Sequence, residues 1–551
     1  ALPLHKQQAK STYLMMNGYF THNNARRMPE GIQSFEELIL DGYVYVDKTD
    51  IMWMLANGRK FNYLSRPRRF GKSLLIDTLR CYFEGRKELF EGLKIMELEK
   101  EWKVSPVIRF DMSCAGASAE DVSDYFNSVF RECEDIYNVQ TFAGDGLTTR
   151  FRNILRTASK EGENPVVILI DEYDSPLQHS WHTPEHEACT AIYRNVFAVL
   201  KSCTLYERFV FLTGITKFTQ ISLFSVLNNL TNISFMPQYA ALCGITKQEI
   251  RDNFMPEIEA MAKKNGWTVE QTFDKLKYNY DGYHFSEENM VDVYNPYSLV
   301  IALAQGRTGN YWASSGATSM LPKFVDNLET EVEDLERTFI RKHILESSDV
   351  TGGGANLFLY QSGYLTIKDF NDTGYYLGIP NNEIRQALYD IVIPALTFRS
   401  QSEVSVEQDI LLDALNYGMV EKAMKVLKAM VADVPYSNKK LQGMHMEERY
   451  RFIISCIFRS IGMRVEVEHM MTGGRIDIVA WALHAVYVIE LKLQNNGGLE
   501  AAKSQILANQ YAEPFKGDSR KVIALAIELD DNGKGLLDFA QVTVDGSTSQ
   551  P

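Results

Sequence analysis

Three stretches of the chain carry residue types that handle phosphate. In "LSRPRRFGKSLLIDTL", residues 64–79, Gly71, Lys72 and Ser73 form the closing half of a phosphate-binding loop. Successive backbone N–H groups there point at a phosphate, the lysine reaches its β and γ oxygens, and the hydroxyl holds Mg²⁺. Arg66 stands where the usual G-x-x-x-x-G-K-[ST] loop has its first glycine. That loss constrains the loop, since only glycine takes positive φ cheaply. Arg66, Arg68 and Arg69 would offset it by lying near a triphosphate. About 100 residues later, "NPVVILIDEYD" places Asp171 and Glu172 at the end of an apolar strand. In such a site the first carboxylate organises Mg²⁺ and the second polarises the attacking water. A third run, "RFVFLTGIT", brings Thr213, Thr216 and the following Lys217 to where a γ-phosphate would be sensed.

A second constellation lies near the C-terminus, in "GGRIDIVAWALHAVYVIELKL". Residues two apart on a strand share a face, so Glu490 and Lys492 project together, towards Asp477 if the two strands form a hairpin. Two carboxylates at one point collect a hard cation, Mg²⁺ or Mn²⁺, and a neighbouring lysine orients or helps deprotonate water, which is the arrangement of metal-assisted phosphodiester hydrolysis. A Glu-x-Lys pair is also a common surface ion pair, but "VYVIELK" is too apolar for a solvated face, and buried charges need partners.

The elements that must hold these groups read as α/β. Short β-branched runs alternate with helical stretches over residues 28–235, the pattern of a parallel sheet. Residues 236–397 turn largely helical, then show two strand signals and a helix, a lid followed by a winged-helix-like segment. A polar helical connection spans 398–440, and a new α/β unit occupies 441–551. Residues 1–27 form an N-terminal extension.

The motifs "GIQSFEELILDGYVYVDKT", "SRPRRFGKS", "ILIDEYDSPL", "FLTGITKFTQISLFSVLNNL", "YNYDGYHFS" and "VYNPYSLV", in this order over roughly residues 28–310, resemble the AAA-ATPase-like family of proteins from Bacteroides-type bacteria. In that family R-P-R-R-F-G-K-S is the usual loop. The resemblance implies a P-loop NTPase sheet that binds ATP with Mg²⁺, with Arg66, Arg69, Gly71, Lys72, Ser73, Asp171, Thr213 and Lys217 around the nucleotide and Glu172 catalytic. The segment from 441 to about 530 resembles the PD-(D/E)XK nuclease superfamily, with its restriction-endonuclease-like α/β fold. Carried over, Asp477 and Glu490 ligate metal, Lys492 completes the core motif, and Gln505 and Tyr511 match the downstream helix. Glu448 or its neighbour Glu447 is the acid of the first helix, and Glu468 is a further metal-side acid.

Composition limits the partners. At 551 residues, with 45% hydrophobic and 23% charged residues, the chain is too long for one core and reads as a folded multi-domain protein. A net charge of −14 excludes a general basic surface for nucleic acid. Between 441 and 515, seven basic residues face eight acidic ones. Seven scattered cysteines without a C-x-x-C pair fit a reducing cytoplasm, and no apolar run is long enough for a membrane span. The expectation is a cytoplasmic, bacterial ATP-binding protein that regulates a nuclease, acting on DNA rather than RNA, in defence or mobile-element maintenance, with homo-oligomers allowed. The alternative is a nucleotide-dependent switch or scaffold whose nuclease fold binds without cutting.

Overall fold

The computed structural model describes residues 27–181, 183–215, 229–313, 337–347, 354–397, 401–432, 434, 445–471 and 474–543. Thr216 and Lys217, expected at the nucleotide, lie outside them.

Strand β1 (Phe61–Ser65) runs into the phosphate loop and the helix Lys72–Phe83. It joins β2 (Val107–Asp111), β3 (Val166–Asp171), β4 (Glu207–Gly214) and β5 (Thr231–Asn232) in an all-parallel sheet of order β2-β3-β4-β1-β5. Every residue of β3 is buried. Val167 and Leu169 pack on one face and Ile168 and Ile170 on the other, so a strand covered on both sides is continuously apolar. Helices Ala119–Tyr137, Leu147–Ala158 and His186–Ser202 supply the second face. Their starts are locally encoded in part: Ser118 and Asp121 close a capping box on the first. Because β4 is inserted between β1 and β3, its C-terminal end lies beside both the phosphate loop and Asp171.

The middle of the chain is helical at Lys247–Asn253, Met255–Asn265, Val269–Tyr280 and Pro296–Gln305. A small antiparallel sheet follows, of β6 (Thr338–Arg341), β7 (Thr366–Phe370) and β8 (Gly374–Gly378) in the order β6-β8-β7. The helix Asn382–Thr397 leaves this sheet and packs on Met446–Ser460, the first helix of the C-terminal unit. There β9 (Arg464–Met471), β10 (Gly474–Trp481) and β11 (Ala485–Leu493) form an antiparallel meander. The helix Gly498–Ala508 crosses over to β12 (Lys521–Leu529), parallel to β11, and β13 (Leu536–Val542) closes the sheet.

One hydrophobic cluster runs from the underside of the parallel sheet, through the middle segment, to the helix-covered face of the C-terminal sheet. The "YNYDGYHFS" stretch stitches this path together. Phe70 of the phosphate loop meets Tyr283 edge-on at 4.8 Å and Phe285 at 5.5 Å. Tyr283 donates its hydroxyl to Gly363 O at 3.0 Å. Gly363 sits so close to Pro67 that an added Cβ would lie 2.6 Å from the proline's, and its φ of +93° also favours glycine. Trp312 Nε1 donates to Arg68 O at 3.4 Å. At the far end, Tyr278 reaches Asn382 Oδ1 at 3.2 Å, and Gln408 donates to Ser460 Oγ at 2.8 Å.

Candidate functional sites

The phosphate loop opens into a cavity of about 460 Å³. Arg69, Gly71, Lys72, Ser73 and Glu172 line it, with Ile32, Val44, Phe254 and Tyr297 contributed by segments before the loop and from the helical middle. Gly71 caps the following helix at φ +87°, and Arg69 also takes a left-handed φ of 70°. Arg69 lays its guanidinium over the Tyr297 ring, 4.7 Å from the centroid. Lys72 is buried, its ammonium donating to Arg66 O and Pro67 O at 3.0 Å each. Burial lowers its pKa, against the opposing charges of Glu172 and Asp171. Glu172 leaves β3 at φ 45°. Its carboxyl is pushed up by burial, with Lys72 pulling it back.

Arg66, expected at the nucleotide, does not line this cavity. Its side chain is 1% exposed and turns away from the cavity, donating to Ser65 O and Ser234 O at 2.9 Å and Tyr239 O at 3.1 Å, with its guanidinium 4.1 Å over the Phe285 ring. It is absent from the positive-φ residues, so position 66 places no demand for glycine; the left-handed turns fall at 69 and 71. Thr213 is a second correction. It is wholly buried and gives its hydroxyl to Asp171 Oδ1 at 2.6 Å, the same oxygen that accepts the Glu172 amide at 3.0 Å. It orients the carboxylate rather than facing the cavity.

In the C-terminal sheet the expected hairpin places Asp477 on β10 and Glu490 and Lys492 on β11, continuing the face of Val486 and Val488. Asp477 Oδ2 accepts from Leu491 N at 2.9 Å. Lys492 Nζ is 3.0 Å from Glu490 Oε1 and 3.8 Å from Glu447 Oε1. Glu490 is 1% exposed; burial first, and then the Asp477 charge, push its carboxyl up to about 7. Its Oε2 is buried with no hydrogen-bond partner. An orphaned carboxylate oxygen beside a second carboxylate fits a hard cation. Among the described residues no group of three or more His, Cys, Asp or Glu is arranged as a metal cage.

The other expected acids fare differently. Of the two first-helix candidates, Glu447 makes the ion pair with Lys492; Glu448 is one residue on, about 100° around the helix, and makes no such pair. Glu468 is engaged by two arginines, Arg451 Nη2 and Arg475 Nη1, each 3.0 Å from its Oε1. Gln505 donates to the Tyr511 hydroxyl at 2.9 Å, and that hydroxyl donates to Arg475 O at 2.8 Å. The pair thus anchors the strand two residues before Asp477. Arg451, which no motif marks, also contacts Asp477 Oδ1 at 3.4 Å.

Each of the two sites falls within a stretch that matches a family model. Residues 29–224 match the family model described as Predicted AAA-ATPase, and residues 445–536 match that of the PD-(D/E)XK nuclease superfamily. The "Uncharacterized protein in vnfD 5'region" of Azotobacter chroococcum mcd 1 is 28% identical over 532 residues, covering 93% of this chain and 98% of that protein. Among the described residues no helix is long and apolar enough to cross a membrane. The chain therefore joins an AAA-ATPase-like domain to a C-terminal domain of the PD-(D/E)XK nuclease superfamily.

Proposed function

We propose that the chain is an ATP-binding protein, and an ATPase, whose nucleotide state controls a C-terminal Mg²⁺-dependent nuclease acting on DNA. The observation that carries this reading is the continuous packing from Phe70 and Pro67 through Tyr283 and Gly363 to the helix Asn382–Thr397, which rests on the nuclease helix bearing Glu447. A phosphate loop gripped by one end of that path has a physical route to the other.

At the nucleotide, Lys72 would exchange two loop carbonyls for β and γ phosphate oxygens, with the Gly71–Ser73 amides cradling the same group. Ser73 and Asp171 would hold Mg²⁺, and Glu172 would polarise the attacking water. In the nuclease, Asp477 and Glu490 would hold a divalent cation that polarises the phosphodiester and lowers the pKa of bound water. Lys492, tied to Glu490 and Glu447, orients that water. Water adds its oxygen to phosphorus, the P–O bond to one sugar breaks, and the leaving oxygen takes a proton. The reaction is downhill and needs no ATP, so nucleotide gates rather than powers it. To carry a switch from 1:99 to 99:1, nucleotide must favour one state by about 5.5 kcal/mol. A cytoplasmic setting accords with seven cysteines that form no disulfide among the described residues, and a gated nuclease suits defence or mobile-element maintenance.

The test measures cutting of plasmid, linear and single-stranded DNA with Mn²⁺, with and without ATP, by wild type, Lys72→Ala and Asp477→Asn. ATP should change cutting by wild type, have no effect in Lys72→Ala, and be irrelevant in an inert Asp477→Asn. Nucleotide-independent cutting by wild type refutes gating. Undiminished cutting by Asp477→Asn refutes the nuclease assignment.

A further inference from the structure

Arg451 follows Glu447 by one helical turn, so the two project from one face of the helix Met446–Ser460 into the nuclease site. Its side chain is 11% exposed, with Nη2 3.0 Å from Glu468 Oε1 and Nη1 3.4 Å from Asp477 Oδ1. Its Nε is buried with no hydrogen-bond partner. Glu468 faces Asp477 across the β9–β10 pairing, between Ile476↔His469 and Ile478↔Val467, and stands at φ 54°. A forked cation thus bridges two acids on neighbouring strands, one of them the carboxylate that matches the core nuclease motif.

Resting on the reading of this site as a metal-dependent nuclease, we propose that Arg451 competes with the divalent cation for Asp477. In the absence of the cation it neutralises and orients Asp477 and Glu468. Once the cation binds, like charge drives the guanidinium off Asp477, and its planar donors serve the non-bridging oxygens of the phosphodiester. Arg451 is also carried by the helix on which the middle segment rests, so a shift of that helix alters how easily the cation enters.

A purely structural ion pair and a competing cation predict opposite effects on metal affinity. Mn²⁺ binding to the full-length protein is measured by calorimetry without DNA, beside DNA cutting and thermal melting, for wild type, Arg451→Met, Arg451→Lys and Asp477→Asn. The isotherm lost in Asp477→Asn identifies the nuclease site. Arg451→Met should bind Mn²⁺ more tightly there, on the order of tenfold, while cutting more slowly. Arg451→Lys keeps the charge but not the fork, so it should retain wild-type Mn²⁺ affinity and still cut slowly. Unchanged or weaker Mn²⁺ binding by a folded Arg451→Met, or wild-type cutting by Arg451→Lys, overturns the proposal. If Asp477→Asn silences cutting and Mn²⁺ binding while the Arg451 variants behave as wild type, only the role of Arg451 fails. If Asp477→Asn changes neither, the nuclease reading falls and this inference with it.

Discussion

Restoring the missing glycine of the phosphate loop should damage the protein. Arg66→Gly leaves two carbonyls, Ser234 O and Tyr239 O, without the donors that now reach them from 168 and 173 residues away. Each buried acceptor left bare costs ~1–3 kcal/mol. Losing the guanidinium above Phe285 removes a further ~0.5–2 kcal/mol. Part of this is returned, because burying an arginine cation is itself unfavourable, as its lowered pKa records. The net loss is about 2–4 kcal/mol. For a cooperative unit of 150–250 residues that corresponds to roughly 4–16 °C in Tm. Thermal melting gives the stability, and Mg-ATP calorimetry well below the melt gives the affinity of the folded protein, which should change far less than in Lys72→Ala. An Arg66→Gly variant that melts with wild type, or binds ATP more tightly as a repaired loop would, refutes the assignment of Arg66 to structure.

Further outcomes test the remaining groups. Lys72→Ala should weaken Mg-ATP binding severely in calorimetry, since it deletes the buried ammonium that would meet the β and γ phosphates. Glu172→Gln should bind ATP as wild type but release no phosphate in a turnover assay, the amide being nearly isosteric yet a poor partner for attacking water. Glu207, at the start of β4, has both carboxylate oxygens buried without hydrogen-bond partners, and burial pushes it up to about 8. A carboxyl raised in the folded state contributes stability below the unfolded value near 4.5 and loses it as pH climbs through 8. Glu207→Gln should therefore stabilise the fold at pH 8 to 9 by ~2–4 kcal/mol, read as a higher Tm, with the gain fading below pH 5. A pH-independent difference would show that burial of its charge is not the cause.

What could be read along the chain follows from how local each signal is. The continuous "VVILI" before Asp171 and Glu172 marks a strand covered on both faces, and the E-x-K of β11 places two charges on one face by alternation alone. Arg66 was illegible because its partners are backbone carbonyls of a distant loop, which no residue type announces. Thr213 was misplaced because its role depends on β4 lying between β1 and β3, a strand order that sequence does not encode. Arg451 had a faint signal, the four-residue spacing from Glu447, which needs only the helical period. The residues lining the far parts of the nucleotide cavity come from three separated segments, and only folding brings them to Lys72.

The packing around Pro67 and Phe70 also bears on where the protein can be divided. The similarity to ATPases covers 29–224, but β5 lies at Thr231–Asn232, the acceptors of Arg66 at 234 and 239, and the rings and backbone against Phe70 and Pro67 at 283, 285 and 363. A piece ending at 224 would have a ragged sheet edge, a buried cation stripped of its acceptors, and apolar loop residues open to water. The stretch that matches the ATPase family model is thus shorter than the packed unit around the phosphate loop. Swapping this module between relatives would require carrying its downstream clasp with it.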